Sequence, residues 1–339
     1  MVNIPEGKLM RNHRISLQDI ATLAGVTKMT VSRYLRDSRQ VSSVTGKKIA
    51  DVLEEVNYVP SRAPNMLLNA KSSAIGVLIP SFQNIIFSDI LSGLESMTSK
   101  NGYQLLISEY NYSREAEEKQ IINLLSYDIE GLVLSEKTHT MRAQSYLHSA
   151  KIPIVEIMDT LEPKIDMEVG LDNRIAAFEM VSAMIRRGKR NIYYFSSRDD
   201  QRDNQRDIGY QLAMKTNGLI PRRISPNSMS SFTLGSTMLK QVLQEEIIPD
   251  GIFCTNDDIA VGVLLECLKL GISVPDEMAI AGFHGLDIGK TVTPSLASVI
   301  TPRFAIGQKS AELIIQRINN NLVDNSIDLG FEIFHGETI

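Results

Sequence analysis

The rhythm of apolar residues from Ser73 onward restricts this chain more than any other feature, because short apolar runs alternate there with amphipathic segments. The predicted strands are Ala74–Ile79, Tyr103–Ser108, Gly131–Ser135, Ile152–Glu156, Asn191–Phe195, Gly251–Cys254, Met278–Ala281 and Leu296–Ile300. The predicted helices span about 85–100, 114–126, 173–187, 203–216, 234–246, 257–270 and 304–319. Continuous apolar strands between helices indicate parallel sheets covered on both faces. So many strands favour two α/β subdomains over one.

The N-terminal segment has a different pattern, that of three short helices. Ser16 and Asp19 form an S-x-x-D capping box, which predicts a helix start, and Gly25 suits a tight turn at the end of that helix. A second helix is predicted at about 28–36 and a third at about 43–56. Three short helices, the first two joined by a glycine turn, are typical of an all-α helix-turn-helix domain that binds DNA.

The second of these helices carries polar side chains at its N-terminal end. Arg33 can pair bidentately with guanine, Lys28 can reach a base or a phosphate, and Met29 can contact a thymine methyl group. The predicted DNA contacts of the domain are Ser16, Thr27, Lys28, Met29, Thr30, Ser32, Arg33 and Tyr34. An amphipathic surface helix without any DNA partner has the same pattern, so this helix alone leaves both interpretations open.

Charge is distributed unevenly along the chain, whose formal net charge is -5. The first 72 residues hold eleven Lys and Arg against six Asp and Glu, so the remainder is strongly acidic. A basic segment on an acidic body is expected where one segment alone faces phosphate groups, although a solvated charged surface would look alike.

Several classes of protein are disfavoured by what the sequence lacks. No apolar run approaches the roughly 18 residues of a membrane span, and no signal peptide is apparent, so we expect a cytoplasmic protein. Cys254 and Cys267 are too few for a disulfide framework or a zinc site. Because GxGxxG, GxxxxGK[ST] and HExxH motifs are missing, we expect no enzyme activity, no cofactor and no metal. Residues 1–14 are expected to be a disordered extension, and Met10 is a second possible start.

The N-terminal motifs resemble the DNA-binding domain of the LacI (lactose repressor) family. The resemblance runs through Ile15–Ala21, Gly25–Thr27 and Thr30–Leu35 and continues in Asn57–Ala63. Further matches in Thr255–Gly262, Val274-Pro275, Ile280–Phe283 and Thr293–Val299 extend it over essentially the whole chain. The resemblance implies a regulator with a helix-turn-helix domain (15–60), a hinge helix or linker (61–72) and an effector-binding domain (73–339).

In this family the linker folds on the operator and wedges an apolar residue into the minor groove, which kinks the duplex. Leu67 occupies the matching position, and the resemblance adds Ser61 and Arg62 to the predicted DNA contacts. Pro64 departs from the usual alanine, which puts the ordering of this helix in doubt.

The effector domain of the family resembles periplasmic sugar-binding proteins, with a ligand cleft between two subdomains. These are predicted at about 73–171 with 303–325, and at about 172–301 with 326–339. By motif match, Arg206 anchors the ligand and Asn256 binds its hydroxyl groups, while Phe87 and Phe304 line the cleft. Ser135 is the last residue of a predicted strand, at the end where ligands of α/β proteins bind.

The departure from the sugar-binding members that matters most lies at His284, where many of them carry an aspartate. A group that can become cationic favours an anionic ligand over a neutral sugar. Lys137 and His139 follow a strand end, and together Arg206, His284, Lys137 and Arg303 are predicted to surround one carboxylate. Taken singly, each of these residues is more often structural.

These stretches are most similar to those of the gluconate and L-idonate regulators of enteric bacteria. That branch of the family implies a sugar-acid effector such as gluconate, idonate or 5-ketogluconate, and a neutral sugar or another small metabolite is the alternative. The expected assembly is a homodimer on a near-palindromic, double-stranded operator, without membrane contact. A periplasmic binding protein would need a signal peptide and would leave residues 15–60 without a purpose, and a sugar-acid enzyme would need a catalytic constellation.

Overall fold

The computed structural model describes residues 15–58 and 72–339, which fall into two compact units divided after Ser72. We call residues 15–58 the head and residues 73–339 the body. The predicted extension at 1–14 lies outside the described residues. So do the predicted linker contacts Ser61, Arg62 and Leu67, together with Pro64.

The head consists of three helices, α1 (Leu17–Ala24), α2 (Lys28–Arg36) and α3 (Ser43–Glu55). The predicted capping box is present, because the Ser16 side chain accepts from the Asp19 backbone N–H while the Asp19 carboxylate accepts from that of Ser16. Gly25 ends α1 at φ +65°, in the left-handed region that favours glycine. The helix-turn-helix prediction is therefore confirmed.

The head has its own small core, formed by the buried residues Ile20, Ala21, Ala24, Val31 and Ile49. Tyr34 of α2 packs on α3 at Gly46, where an added Cβ would lie 3.3 Å from Tyr34 Cε2. Gly46 belongs to a Thr-Gly-Lys-Lys run that superficially resembles a phosphate-binding loop. Its small size instead lets an aromatic ring approach the helix closely.

The body is built on two six-stranded sheets. The first contains β1 (Ala74–Ile79), β2 (Gln104–Glu109), β3 (Gly131–Leu134), β4 (Ile154–Ile157), β5 (Met167–Gly170) and β11 (Ser326–Asp328), in the order β11-β5-β4-β3-β1-β2. The second contains β6 (Ile192–Phe195), β7 (Arg222–Ile224), β8 (Gly251–Cys254), β9 (Ala279–His284), β10 (Ala297–Ile300) and β12 (Glu332–Phe334), in the order β12-β10-β9-β8-β6-β7. All pairings are parallel except that of β10 with β12.

Helices connect the strands of both sheets. They are α4 (Ile86–Thr98), α5 (Arg114–Leu125), α6 (Met141–Ala150), α7 (Asn173–Arg186), α8 (Gln201–Thr216), α9 (Phe232–Val242), α10 (Asp257–Leu270), α11 (Asp287–Thr291) and α12 (Arg303–Ile318). The predicted α/β class with two parallel sheets is thus confirmed. In the described part of the body, the chain passes from one sheet to the other between β5 and β6, between β10 and β11, and between β11 and β12.

Sequence periodicity missed the short or polar elements of the body. Strand β5 has a buried glutamate, Glu168, inside its four residues, so its apolar run is too short to stand out in the sequence. Helix α6 buries only Ala143 and Leu147, so its apolar stripe is narrow. Within residues 15–58 and 72–339, no helix combines the length and the apolar character that crossing a membrane demands.

The left-handed turn of the head gives a direct test. We expect Gly25→Ala to destabilise the α1–α2 pair by about 1 kcal/mol, because an alanine Cβ is strained at this φ. Gly25→Asn is the matched control, since asparagine tolerates the left-handed region better. Hydrogen exchange of α1 and α2 amides in the full chain should be fastest in the alanine variant. No atom lies within 4 Å of the added Cβ, so a steric clash would not explain a loss of stability. Equal effects of both substitutions would show that the left-handed φ is not the constraint.

Candidate functional sites

Helix α2 presents exposed side chains in its first turn and, at Arg33, in its last turn. Lys28, Met29 and Arg33 are exposed, Met29 to 65%, whereas Val31 is fully buried. Val31 therefore anchors the helix to the head core and leaves two cations and one thioether accessible. This is the arrangement with which a recognition helix reaches base edges in the major groove.

The other predicted contacts of the head help to hold its helices in place. Thr27 Oγ1 accepts a hydrogen bond from the Thr30 backbone N–H at 3.2 Å and lies 2.9 Å from Thr30 Oγ1. Ser16 caps α1, Tyr34 packs against α3, and Ser32 is partly exposed. These side chains fix where the helices begin and how they pack, and their contact with DNA stays a prediction.

The body has a chamber beside the point in each sheet where the strand order reverses. Strand β1 lies between β3 and β2, and β6 lies between β8 and β7. In open α/β sheets, ligands bind outside the carboxyl ends of the strands at such switch points. The segments that follow these strands line a chamber of about 40 Å³, here called the inner chamber. Its lining includes Asn84, Phe87, Tyr112, Arg198, Asp200, Arg202, Arg206, Asn256 and His284.

Arg206 lies buried at the base of the inner chamber. Its Nε donates to Asn173 Oδ1 at 3.0 Å and its Nη1 donates to the Thr255 carbonyl at 2.7 Å. The guanidinium carbon lies 3.9 Å from the centroid of the Phe283 ring. Among the described residues, no carboxylate forms an ion pair with Arg206, and its Nη2 donates no hydrogen bond. One end of the guanidinium is therefore fixed, and the other is available to a ligand.

Arg202, one helical turn before Arg206, connects the two halves of the body. Its Nη1 donates to the Ser135 carbonyl at 2.7 Å and its Nη2 donates to Glu136 Oε1 at 3.1 Å. Tyr110 donates to the same Glu136 oxygen at 3.0 Å. Burial raises the pKa of Glu136 to about 7, although Arg202 opposes this effect. A predicted site residue, Ser135, thus contributes its carbonyl to this contact, and its hydroxyl lies 3.1 Å from that of Tyr110.

Arg198 and Tyr112 form a second contact between the halves of the body. The guanidinium carbon of Arg198 lies 3.7 Å from the centroid of the Tyr112 ring, and Asn84 donates to the Tyr112 hydroxyl at 3.1 Å. Within residues 15–58 and 72–339, the Arg198 guanidinium has neither an ion pair nor a hydrogen bond. It is a second cation of the chamber without a carboxylate partner.

His284 is buried beside these arginines and is neutral, contrary to the prediction that it acts as a cation. Burial lowers the pKa of His284 far below its usual range, and the nearby Arg206 and Arg303 lower it further. Its Nδ1 lies 3.3 Å from Thr301 Oγ1. Its backbone φ is +100°, a strained value for a residue with a side chain. His284 therefore offers a neutral hydrogen-bonding ring to the chamber.

Asn256 and Phe87 complete the inner chamber from opposite sides. Asn256 precedes α10 without capping it, and its Nδ2 donates to Ser230 Oγ at 2.9 Å. Ser230 in turn donates to Asp258 at 2.6 Å. Because this chain of donors orients the amide, its oxygen is left as an acceptor for hydroxyl groups. Phe87 is buried at the start of α4.

The predicted cluster of four cations around one carboxylate does not form, because two of its members are held elsewhere. Lys137 is buried in an ion pair with Glu168 and donates to the Leu161 carbonyl at 2.5 Å. Arg303 binds Asp89 at 2.7 Å and the His284 carbonyl. Neither side chain lines the inner chamber.

Two further predicted effector contacts also lie away from the chamber. His139 is buried between Glu117 at 3.0 Å and Glu156 at 3.4 Å. Burial lowers its pKa, but the two glutamates outweigh burial and raise the pKa to about 9. Phe304 is half-exposed, and its carbonyl faces Gly93 in the contact between α12 and α4. Both residues stabilise the framework of the body.

Sequence reasoning missed Arg198, Asp200 and Arg202 as residues of the chamber. The first two follow β6 at its carboxyl end, and Arg202 lies four residues before Arg206 in a helix, on the same face. Both signals were present in the sequence. What it did not reveal was that the partners of Lys137 and His139 lie on distant segments.

Comparison with known proteins agrees with both units. The family model of bacterial regulatory proteins, lacI family, matches residues 16–61, and that of the periplasmic binding protein-like domain matches residues 181–335. The HTH-type transcriptional regulator IdnR of Escherichia coli strain K12 is 55% identical over 332 residues, which cover 97% of this chain and 100% of the relative. GntR from the same strain is 46% identical over 331 residues, with the same coverage.

A solved structure extends the likeness to three dimensions. The crystal structure of a LacI-family transcriptional regulator from Silicibacter pomeroyi has a TM-score of 0.90 at 30% identity, covering 96% of this chain and 99% of that one. The two units therefore define a DNA-binding regulator. The chain belongs to the lacI family of bacterial regulatory proteins, and it is a helix-turn-helix transcriptional regulator and not an enzyme.

The buried cation at His139 predicts a pH dependence of stability. We expect His139→Gln to lower the free energy of unfolding by roughly 3 kcal/mol below pH 6.5. The folded-state pKa of about 9 lies above the ordinary value of 6.5. The contribution is therefore complete below pH 6.5, declines as the pH rises towards 9 and is lost above it.

Urea unfolding of the wild type and the variant at several pH values checks this expectation. The exposed His148→Gln, on α6, is the control. A stability difference that stays constant from pH 6 to pH 10 would mean that His139 is not charged in the folded protein.

Proposed function

We propose that this regulator binds a near-palindromic operator as a homodimer, each protomer reading one half-site with α2. The observation that supports the reading surface is the exposed triad of Lys28, Met29 and Arg33 on a helix docked by Val31. Two-fold pairing of half-sites follows from the symmetry of a dimer. When bound to the operator, the protein would reside in the nucleoid of the cytoplasm.

Exposed apolar side chains on the body support the homodimer. Ile208 and Leu212 lie one turn apart on α8 and are about half accessible, and Ile220 follows shortly after the helix. Apolar residues grouped on one helix face are typical of protein interfaces. Burial of this face against its copy would remove these side chains from water.

We propose further that the effector is a sugar acid, bound in the inner chamber through its carboxylate. The single observation that carries this proposal is the pair of guanidiniums, on Arg198 and Arg206, that have no carboxylate partner among the described residues. A ligand carboxylate would supply that partner and accept from the free Nη2 of Arg206, in the planar geometry that suits arginine. Asn256 and the neutral His284 would bind hydroxyl groups.

Gluconate, idonate and 5-ketogluconate are the effectors that the sequence resemblance favours. Effector and operator would then be linked, so that each changes the affinity of the protein for the other by the same factor. A neutral sugar would leave both arginines without a counter-charge, which is why we rank it second.

Arg33→Ala tests the reading surface. Loss of a bidentate contact with a base should cost about 1–3 kcal/mol of operator affinity while sparing non-specific DNA binding. The control is Arg39→Ala, which removes an equal charge from a side chain that is 89% exposed and paired with Asp37 just after α2. Fluorescence anisotropy with operator and scrambled duplexes gives both affinities. Equal losses on the two duplexes would reduce Arg33 to a phosphate contact.

Arg206→Lys tests the effector site, since it keeps the charge but removes the planar fork. We expect gluconate, idonate or 5-ketogluconate to bind the variant more weakly by about 1.5–3 kcal/mol. Arg174→Lys, on α7 outside the chamber, is the matched control.

Thermal shifts with each acid and with glucose give the comparison. A ligand at 100 times its dissociation constant adds about 2.7 kcal/mol to the stability of the folded state. A shift with glucose but with none of the acids would overturn the sugar-acid proposal and leave the regulator intact.

A further inference from the structure

The effector cleft continues past the inner chamber into a second, larger cavity, here called the outer chamber. Its volume is about 450 Å³, against about 40 Å³ for the inner chamber. Arg198, Tyr112 and Asp200 line both cavities, and the stacked side chains of Arg198 and Tyr112 stand where the two meet. On the scale of about 10–15 Å³ per water molecule, the inner chamber holds about three waters. That is room for a carboxylate group but not for the whole carbon chain of a hexonic acid, and the adjoining cavity lined by Asn256 and Asp258 adds only about 90 Å³.

The outer chamber is rich in hydrogen-bond acceptors. Four carboxylates line it, against two guanidiniums: Glu117, Glu136, Asp199 and Asp200, with Arg114 and Arg198. Three of these carboxylates form ion pairs, Glu117 with His139, Glu136 with Arg202 and Asp199 with Arg223. His139 also contacts Glu156 and Arg223 also binds Asp203, so the carboxylates around the cavity still outnumber the cations. Glu117 is 99% buried, and although its Oε1 binds His139, its Oε2 has no hydrogen-bond partner in the part of the chain that the structure describes. A buried carboxylate oxygen without a donor is costly. The acceptors of the cavity suit the hydroxyl groups of a ligand.

The two chambers therefore differ in sign. Arg198, Arg202 and Arg206 line the inner chamber with Asp200 as the single carboxylate among its lining residues, whereas carboxylates outnumber guanidiniums in the outer chamber. A molecule with an anionic group at one end and only hydroxyl donors at the other matches this gradient in one orientation. Reversal would place the anion beside carboxylates and leave Arg206 without a counter-charge.

We infer that the effector binds as an open-chain monoacid, with its carboxylate in the inner chamber and its polyhydroxyl tail in the outer chamber among the acidic side chains. This inference rests on the proposed sugar-acid function and adds to it a rule of selection. An acid that carries a second carboxylate at the far end of the same chain is rejected, because that group would face Glu117, Asp199 and Asp200.

D-Gluconate and D-glucarate form a matched pair of probes, since they differ only in whether the terminal carbon is an alcohol or a carboxylate. Isothermal titration of the full-length protein should give one site per protomer for gluconate. Glucarate should bind at least about tenfold more weakly at neutral pH. Equal affinities for both acids, or two molecules of gluconate per protomer, would overturn the inference while leaving the sugar-acid effector in place. Absence of gluconate binding would overturn both.

A gain of binding gives a second test, which misfolding cannot imitate. Asn204 is exposed on α8 and lines the outer chamber. Asn204→Lys adds a cation there and should narrow the preference for gluconate over glucarate by about tenfold, mainly by strengthening glucarate binding. Asn123→Lys makes the same change on the exposed surface of α5, outside both chambers, and should leave the preference unaltered. An unchanged preference in Asn204→Lys would show that the tail does not enter the outer chamber.

Discussion

The buried guanidinium of Arg206 is the interaction on which the effector cleft depends. It joins α7 through Asn173, the carboxyl end of β8 through Thr255, and the aromatic face of Phe283 on β9. Hydrogen bonds and a ring face offset part of the cost of burying a charge, but a carboxylate would offset more. The charge of Arg206 is therefore incompletely compensated. An anion bound in the cleft would interact with this guanidinium more favourably than with water.

Two other buried cations, Lys137 and His139, are compensated by carboxylates. Lys137 pairs with Glu168, and His139 lies between two glutamates. Each of these cations is neutralised within the first half of the body, where it connects a loop or helix to a strand of the first sheet. Arg202 also has a carboxylate partner, Glu136, although it lines the inner chamber. The absence of such a partner therefore distinguishes Arg198 and Arg206 from the buried cations that hold the framework.

Much of this architecture could be predicted from the sequence, and the failures have physical causes. Helix α2 and strand β1 have the predicted bounds because capping residues and apolar runs act locally. Lys137 was misassigned because a position after a strand end is visible in the sequence, whereas its partner Glu168, 31 residues away, is not. His284 was assigned the wrong charge because burial among arginines, and not residue type, sets its pKa. Arg202 could have been found, since it shares a helix face with Arg206.

The three passages of the chain between the sheets of the body have a mechanical consequence. A single connection would leave one sheet free to swivel in any direction, whereas three spaced connections resist twisting and sliding. Bending at these crossing segments remains the softest motion. The backbone connections between the two sheets therefore set the direction in which the sheets move relative to each other, whichever ligand is bound.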